Sequence, residues 1–72
     1  MGSEEEEALM DERAEKYLAR RVEEIKQIVD PKPRSFSKST FMLECSTFAE
    51  AGFMTHDERF AWTERMLREV PT

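Results

Sequence analysis

The chain has 72 residues, a net charge of −5, 39% hydrophobic residues and 38% charged residues. That length admits one domain, and no apolar run approaches the ~20 residues of a membrane-spanning helix. With one cysteine, Cys45, and one histidine, His56, both an intrachain disulfide and a cysteine–histidine zinc cluster are excluded.

A domain this small buries only ~60% of the surface its unfolded chain exposes, so self-association is the stabilising device left open. The acidic start fits neither a secretory signal nor a myristoylation pattern, and with the free thiol it points to the cytoplasm. Met1–Ser3 reads as a disordered start or tag remnant. The charge is uneven. Glu4, Glu5, Glu6, Glu7, Asp11, Glu12 and Glu15 face a single base, Arg13, whereas everything from Lys16 onward sums to about +1. Acidity is thus a patch at one end.

The first predicted element is one long amphipathic helix over residues 4–30. Ser3 and Glu6 fit a capping box, and the glutamate run suits the positive end of a helix dipole. Ala14, Leu18, Val22, Ile25 and Val29 recur at helical spacing, with Met10, Tyr17 and Ile28 widening the stripe. Arg21 projects into that apolar arc, either snorkelling its head to the rim or pairing with a partner's charge. Pro31 and Pro33 stop the helix near Asp30.

Residues 31–37 read as a Pro/Ser/basic connector, and residues 38–72 as a helical hairpin. Phe41, Cys45, Phe48 and Ala49 give the first hairpin helix its inner face, and Gly52 ends it. Thr55 and Glu58 form a capping box that opens the second. Phe60, Thr63, Met66, Leu67 and Val70 form the apolar face of that helix, with Trp62 at its edge. Leu43 points about 160° away from Phe41 and Cys45 at the ~100° per residue of a helix. Leu43, Phe36 and Trp62 are therefore candidates for an exposed apolar interaction site.

The expected fold is all-α: one long N-terminal helix, then a short helical hairpin with a helix-turn-helix-like corner, dimerising through the long helices. The dimer follows from length. A 26-residue helix spans ~39 Å and helices of 14 residues only ~21 Å, so the hairpin cannot cover the whole stripe. Each aliphatic side chain left in water forgoes ~1.5–3 kcal/mol. The candidate partner or dimer residues are Met10, Tyr17, Leu18, Arg21, Val22, Ile25, Ile28, Phe36, Leu43 and Trp62.

No residue set points to catalysis, a metal or a cofactor. Cys45 reads as a core residue and His56 as a surface or capping residue. The carboxylates of "SEEEEALMDE" lack the oxygen-ligand spacing of a calcium loop. Nucleic-acid binding is disfavoured, because Asp57 and Glu58 stand where a helix-turn-helix would meet phosphates. A ribbon-helix-helix regulator with "PRSFSKST" as its strand is the other nucleic-acid option. The stretch "AGFMTHDERF" resembles the corner of SHOCT-type helical-hairpin oligomerisation modules over residues 44–67, with Phe60 one place later than in that pattern. The resemblance implies association and no catalysis. The function expected is a small, acidic, homodimeric, cytoplasmic, non-enzymatic module of phage or mobile-element type. It would bind a larger host protein as inhibitor or adaptor, by occupying a basic or DNA-binding surface. The rivals are a dimeric DNA-binding transcriptional regulator and a structural oligomerisation module.

Overall fold

A computed structural model describes residues 11–71. Three helices lie within that span: α1 over Glu12–Lys26, α2 over Pro31–Glu50 and α3 over His56–Glu69. Among the described residues there is no strand, so the all-α expectation holds and the ribbon-helix-helix alternative does not. Its proposed strand, residues 33–40, is helical.

The helix expected over 4–30 begins, within the described residues, only at Glu12. Asp11 is its N-cap, with a non-helical backbone (φ −57°, ψ 127°) and a carboxylate that accepts from the Arg13 and Ala14 amides. The Asp11 amide donates to the Phe53 carbonyl at 2.9 Å, so it is not spent on a helical bond to a residue four places earlier. Two tertiary constraints thus set the start of α1, and neither is visible in an apolar periodicity. The helix ends at Lys26, where the Gln27 and Ile28 amides turn back onto the Glu24 and Ile25 carbonyls.

The expected connector over 31–37 is likewise helical: α2 is the longest of the three, at 20 residues. Pro31 and Pro33 occupy its first turn, where backbone amides have no intrahelical acceptor, so losing those donors costs nothing. Asp30 caps this turn with its carboxylate on the Lys32 amide, and the Arg34 amide makes the first helical bond to the Asp30 carbonyl. Read as helix breakers, the two prolines are helix starters.

The corner between α2 and α3 is as expected. The Gly52 amide donates to the Ala49 carbonyl and the Phe53 amide to the Phe48 carbonyl, the paired bonds of a Schellman motif. Gly52 supplies the positive φ of 89° that this motif requires. Phe48 and Phe53 close it with an edge-to-face contact at 6.0 Å. Thr55 and Glu58 form a reciprocal capping box at the start of α3.

The helices run alternately up, down and up. Tyr17 on α1 meets Phe48 on α2 edge to face, and Lys26 at the end of α1 reaches Glu69 at the end of α3. Leu18, Val22 and Ile25 from α1, Phe41 and Cys45 from α2, Met66 from α3, and the flanking Met54 and Val70 form one buried core. The stripe of α1 is therefore sheltered by its own chain, which corrects the expectation that Leu18, Val22 and Ile25 face a partner. The physical reason is length: α1 has 15 residues and α2 has 20, so the cover exceeds what it must cover.

Candidate functional site

Leu18, Val22 and Ile25 are consumed in the core, whereas Val29, the last residue of the expected stripe, lies beyond the end of α1 and is exposed; most of the remaining exposed apolar surface is on α2 and α3. Helix α2 is apolar on both sides. Phe41 and Cys45 are buried, whereas Phe36 and Leu43, roughly 140–160° away at ~100° per residue, are 74% and 68% exposed. A helix that is apolar all round is usually buried all round. Here half of that pattern faces out.

The side chains between Phe36 and Leu43 reinforce this. The Thr40 hydroxyl donates to the Phe36 carbonyl at 3.1 Å and the Thr47 hydroxyl to the Leu43 carbonyl at 2.9 Å. Hydroxyls folded back onto their own helix are spent, which leaves the threonine methyl groups as outward surface. Phe36, Thr40, Leu43 and Thr47 thus form an apolar, charge-free stripe along α2.

Helix α3 packs on another flank of α2 and carries exposed apolar side chains of its own. Arg59 Nη1 donates to Ser46 Oγ at 3.0 Å, and Thr63 lies within hydrogen-bonding reach of the Cys45 thiol, so α3 lies against the 45–46 side of α2. Glu44, on the other side of α2, meets α1 through Tyr17 and Arg21. With these phases, the exposed Phe60 and Leu67 of α3 flank the α2–α3 groove on the side away from α1. The Arg59 guanidinium lies over the Phe60 ring at 4.6 Å and helps to fill that groove. Met42 borders it from α2.

The remaining candidate residues fall elsewhere. Tyr17 Oη donates to Glu44 at 2.6 Å, and Arg21 Nε donates to the other Glu44 oxygen at 3.3 Å, with a second bond to Glu24. Arg21 is therefore neither snorkelling nor partner-facing: it pairs within the chain and fixes α1 against α2. Glu44 was missed by sequence reasoning, because nothing local marks a glutamate that will meet a helix more than 20 residues away. Ile28 is half-buried, and Trp62 is half-buried with Arg65 stacked over its ring at 4.8 Å. Met10 and Glu4, Glu5, Glu6 and Glu7 lie outside the described residues. Asp11, Glu12 and Glu15 stand at the start of α1, where Asp11 is engaged as a cap and Glu12 pairs with Lys16 at 3.2 Å.

The two groups considered for nucleophilic chemistry differ in their surroundings. Cys45 is fully buried, and burial pushes its thiol up to about 11, far from a reactive thiolate. His56 is exposed at the first turn of α3. Among the described residues no group of histidine, cysteine and carboxylate side chains is placed to hold a metal ion. No described helix is long and apolar enough to cross a membrane. A shallow groove of about 330 Å³ lies beside the α2–α3 corner, lined by Asp11, Arg13, Ala14, Tyr17, Phe48 and Phe53. No family model, curated protein or solved structure matches the chain.

Proposed function

We propose that this chain is a small, non-enzymatic protein-binding module. It works as a homodimer and acts as inhibitor or adaptor of a larger host protein in the cytoplasm. The observation that carries this reading is the large apolar side chains left outward on α2 and on α3, with Phe36, Leu43, Phe60 and Leu67 all more than half exposed. Large apolar groups left exposed in number mark interaction sites. The full burial of Cys45 supports a binding role over a nucleophilic one.

The acidic end of the chain, Glu4, Glu5, Glu6 and Glu7 with Asp11, Glu12 and Glu15, would steer the module toward a basic surface, including one that otherwise holds DNA. The apolar ridge of α3 would supply most of the affinity.

Affinity capture from a host lysate tests this. The wild-type chain is compared with Phe60→Glu and Leu67→Glu at low and high salt. The expected result is a protein retained by wild type, lost with either variant and captured more weakly as salt rises. Capture that ignores both substitutions would remove the face from the proposal.

A further inference from the structure

We infer that the exposed stripe of α2 is a self-association seam, on which a second copy of this chain packs its own α2 antiparallel about a two-fold axis. The inference deepens the binding-module reading and rests on it. It assigns the α2 half of the outward face to the dimer and leaves the α3 ridge, Phe60 and Leu67, for a different protein.

Spacing is the first argument. Phe36, Thr40, Leu43, Thr47 and Glu50 follow one another at intervals of four, three, four and three, the seam of a coiled coil. Helices paired along such a seam cross at about +20° and stay in contact over their length. The α2 helix is 20 residues, or about 30 Å, long enough to present the entire seam.

Size matching is the second. Centring a two-fold axis between Thr40 and Leu43 sets Phe36 against the partner's Thr47, and Leu43 against the partner's Thr40. Each large side chain then meets a small one, and the reciprocal contacts are identical by symmetry. Because the Thr40 and Thr47 hydroxyls are bonded to their own helix, neither is left unpaired when the seam closes.

Charge is the third. Lys32 and Glu50 lie at opposite ends of the same face, and both are exposed. Neither enters an ion pair among the described residues. In the antiparallel arrangement Lys32 comes alongside the partner's Glu50, twice per dimer. A parallel pairing would instead place lysine beside lysine and glutamate beside glutamate. The charge pattern therefore selects a second copy and fixes its direction.

The test is the solution mass, by sedimentation, of the full chain across a dilution series. Wild type is compared with Leu43→Glu, Lys32→Glu, Glu50→Lys, the double swap Lys32→Glu/Glu50→Lys, and Phe60→Glu. Wild type is expected at twice its 8.5 kDa, Leu43→Glu at 8.5 kDa with unchanged helical circular dichroism, and Phe60→Glu as a dimer. Each single charge swap is expected to weaken the dimer roughly three- to tenfold, and the double swap to restore it. An acid near the start of α2 and a base at its end both favour the helix itself, so neither loss can come from unfolding.

A wild-type chain that stays at 8.5 kDa at the highest concentration overturns the seam. So does a dimer that survives Leu43→Glu, or a double swap that fails to recover. A monomer that still captures a partner through Phe60 would sink the seam and with it the homodimer, and would leave the partner-binding reading standing. A dimer with no Phe60-dependent capture would sink only the heterologous reading.

Discussion

At the scale of single residues, the most informative group is Glu44. It accepts from Tyr17 and from Arg21, and Arg21 also holds Glu24. All three side chains are largely shielded, so removing the carboxylate strands a guanidinium that has already lost most of its water. Glu44→Ala is expected to cost about 1–3 kcal/mol in urea unfolding, and Tyr17→Phe about 1–2 kcal/mol. The Glu44 hydrogen bond, with burial in second place, raises the Tyr17 phenol above its ordinary 10.0. A raised value means that this contribution is complete below pH 10 and is lost as pH rises through the folded-state value. The alkaline fall in stability should therefore be shallower in Tyr17→Phe than in wild type; equal slopes would show that other groups cause it. Cys45 makes a separate prediction. A thiol pushed to about 11 by burial should resist alkylation at neutral pH until the chain is unfolded in urea. Rapid labelling of the folded chain would show that the core opens around it.

At the scale of elements, helix boundaries were less legible than helix faces. The periodicity of α1 identified Ala14, Leu18, Val22 and Ile25 correctly as one apolar face, because burial and spacing are two views of the same geometry, but it carried the stripe on to Val29, which lies past the end of α1 and is exposed. It could not locate the start of α1, which the Asp11 cap and its amide bond to Phe53 decide. The two prolines of α2 show the same limit. A proline excludes the residues before it from a helix but not those after it, so "DPKP" reads as an end or as a beginning. Asp30 resolves it by capping Lys32. The corner was fully legible, since a positive-φ glycine and a Thr–x–x–Glu box are local devices. Gly52→Ala should cost about 1 kcal/mol through backbone strain alone, because no atom lies within 4 Å of where the new methyl would sit. Thr55→Ala should cost about 1 kcal/mol through the lost cap. Thermal unfolding of both variants checks these values, and a neutral Gly52→Ala would mean that the corner relaxes out of its Schellman geometry.

At the scale of the molecule, the division between core and surface on α2 governs the rest. Phe41 sits fully buried where all three helices meet, whereas Leu43, two residues on, faces out. Phe41→Ala is expected to cost about 3–5 kcal/mol. That is much of the roughly 4–11 kcal/mol that a chain of 72 residues commands at ~0.05–0.15 kcal/mol per residue. Leu43→Ala should stay within about 0.5 kcal/mol for the isolated chain. Urea titrations at low protein concentration separate the two. A large cost at Leu43 under those conditions would mean that its side chain is covered within one copy.

The amino-acid sequence by itself determined the all-helical class, the inner faces of α1 and α2, the corner at Gly52 and the outward direction of Leu43; on α3 it set Met66 and Val70 inward but misplaced Phe60 and Leu67, which are exposed. Each of these depends on residues within about one or two helical turns of one another, where spacing maps directly onto direction. Tertiary structure alone decided which helix is longest, that the stripe of α1 is covered by its own chain, and that Arg21 finds Glu44. Those outcomes depend on which amide, carboxylate or apolar ridge a neighbouring helix presents. Hydrogen bonds and burial between segments far apart in the chain leave no local trace in a periodic pattern.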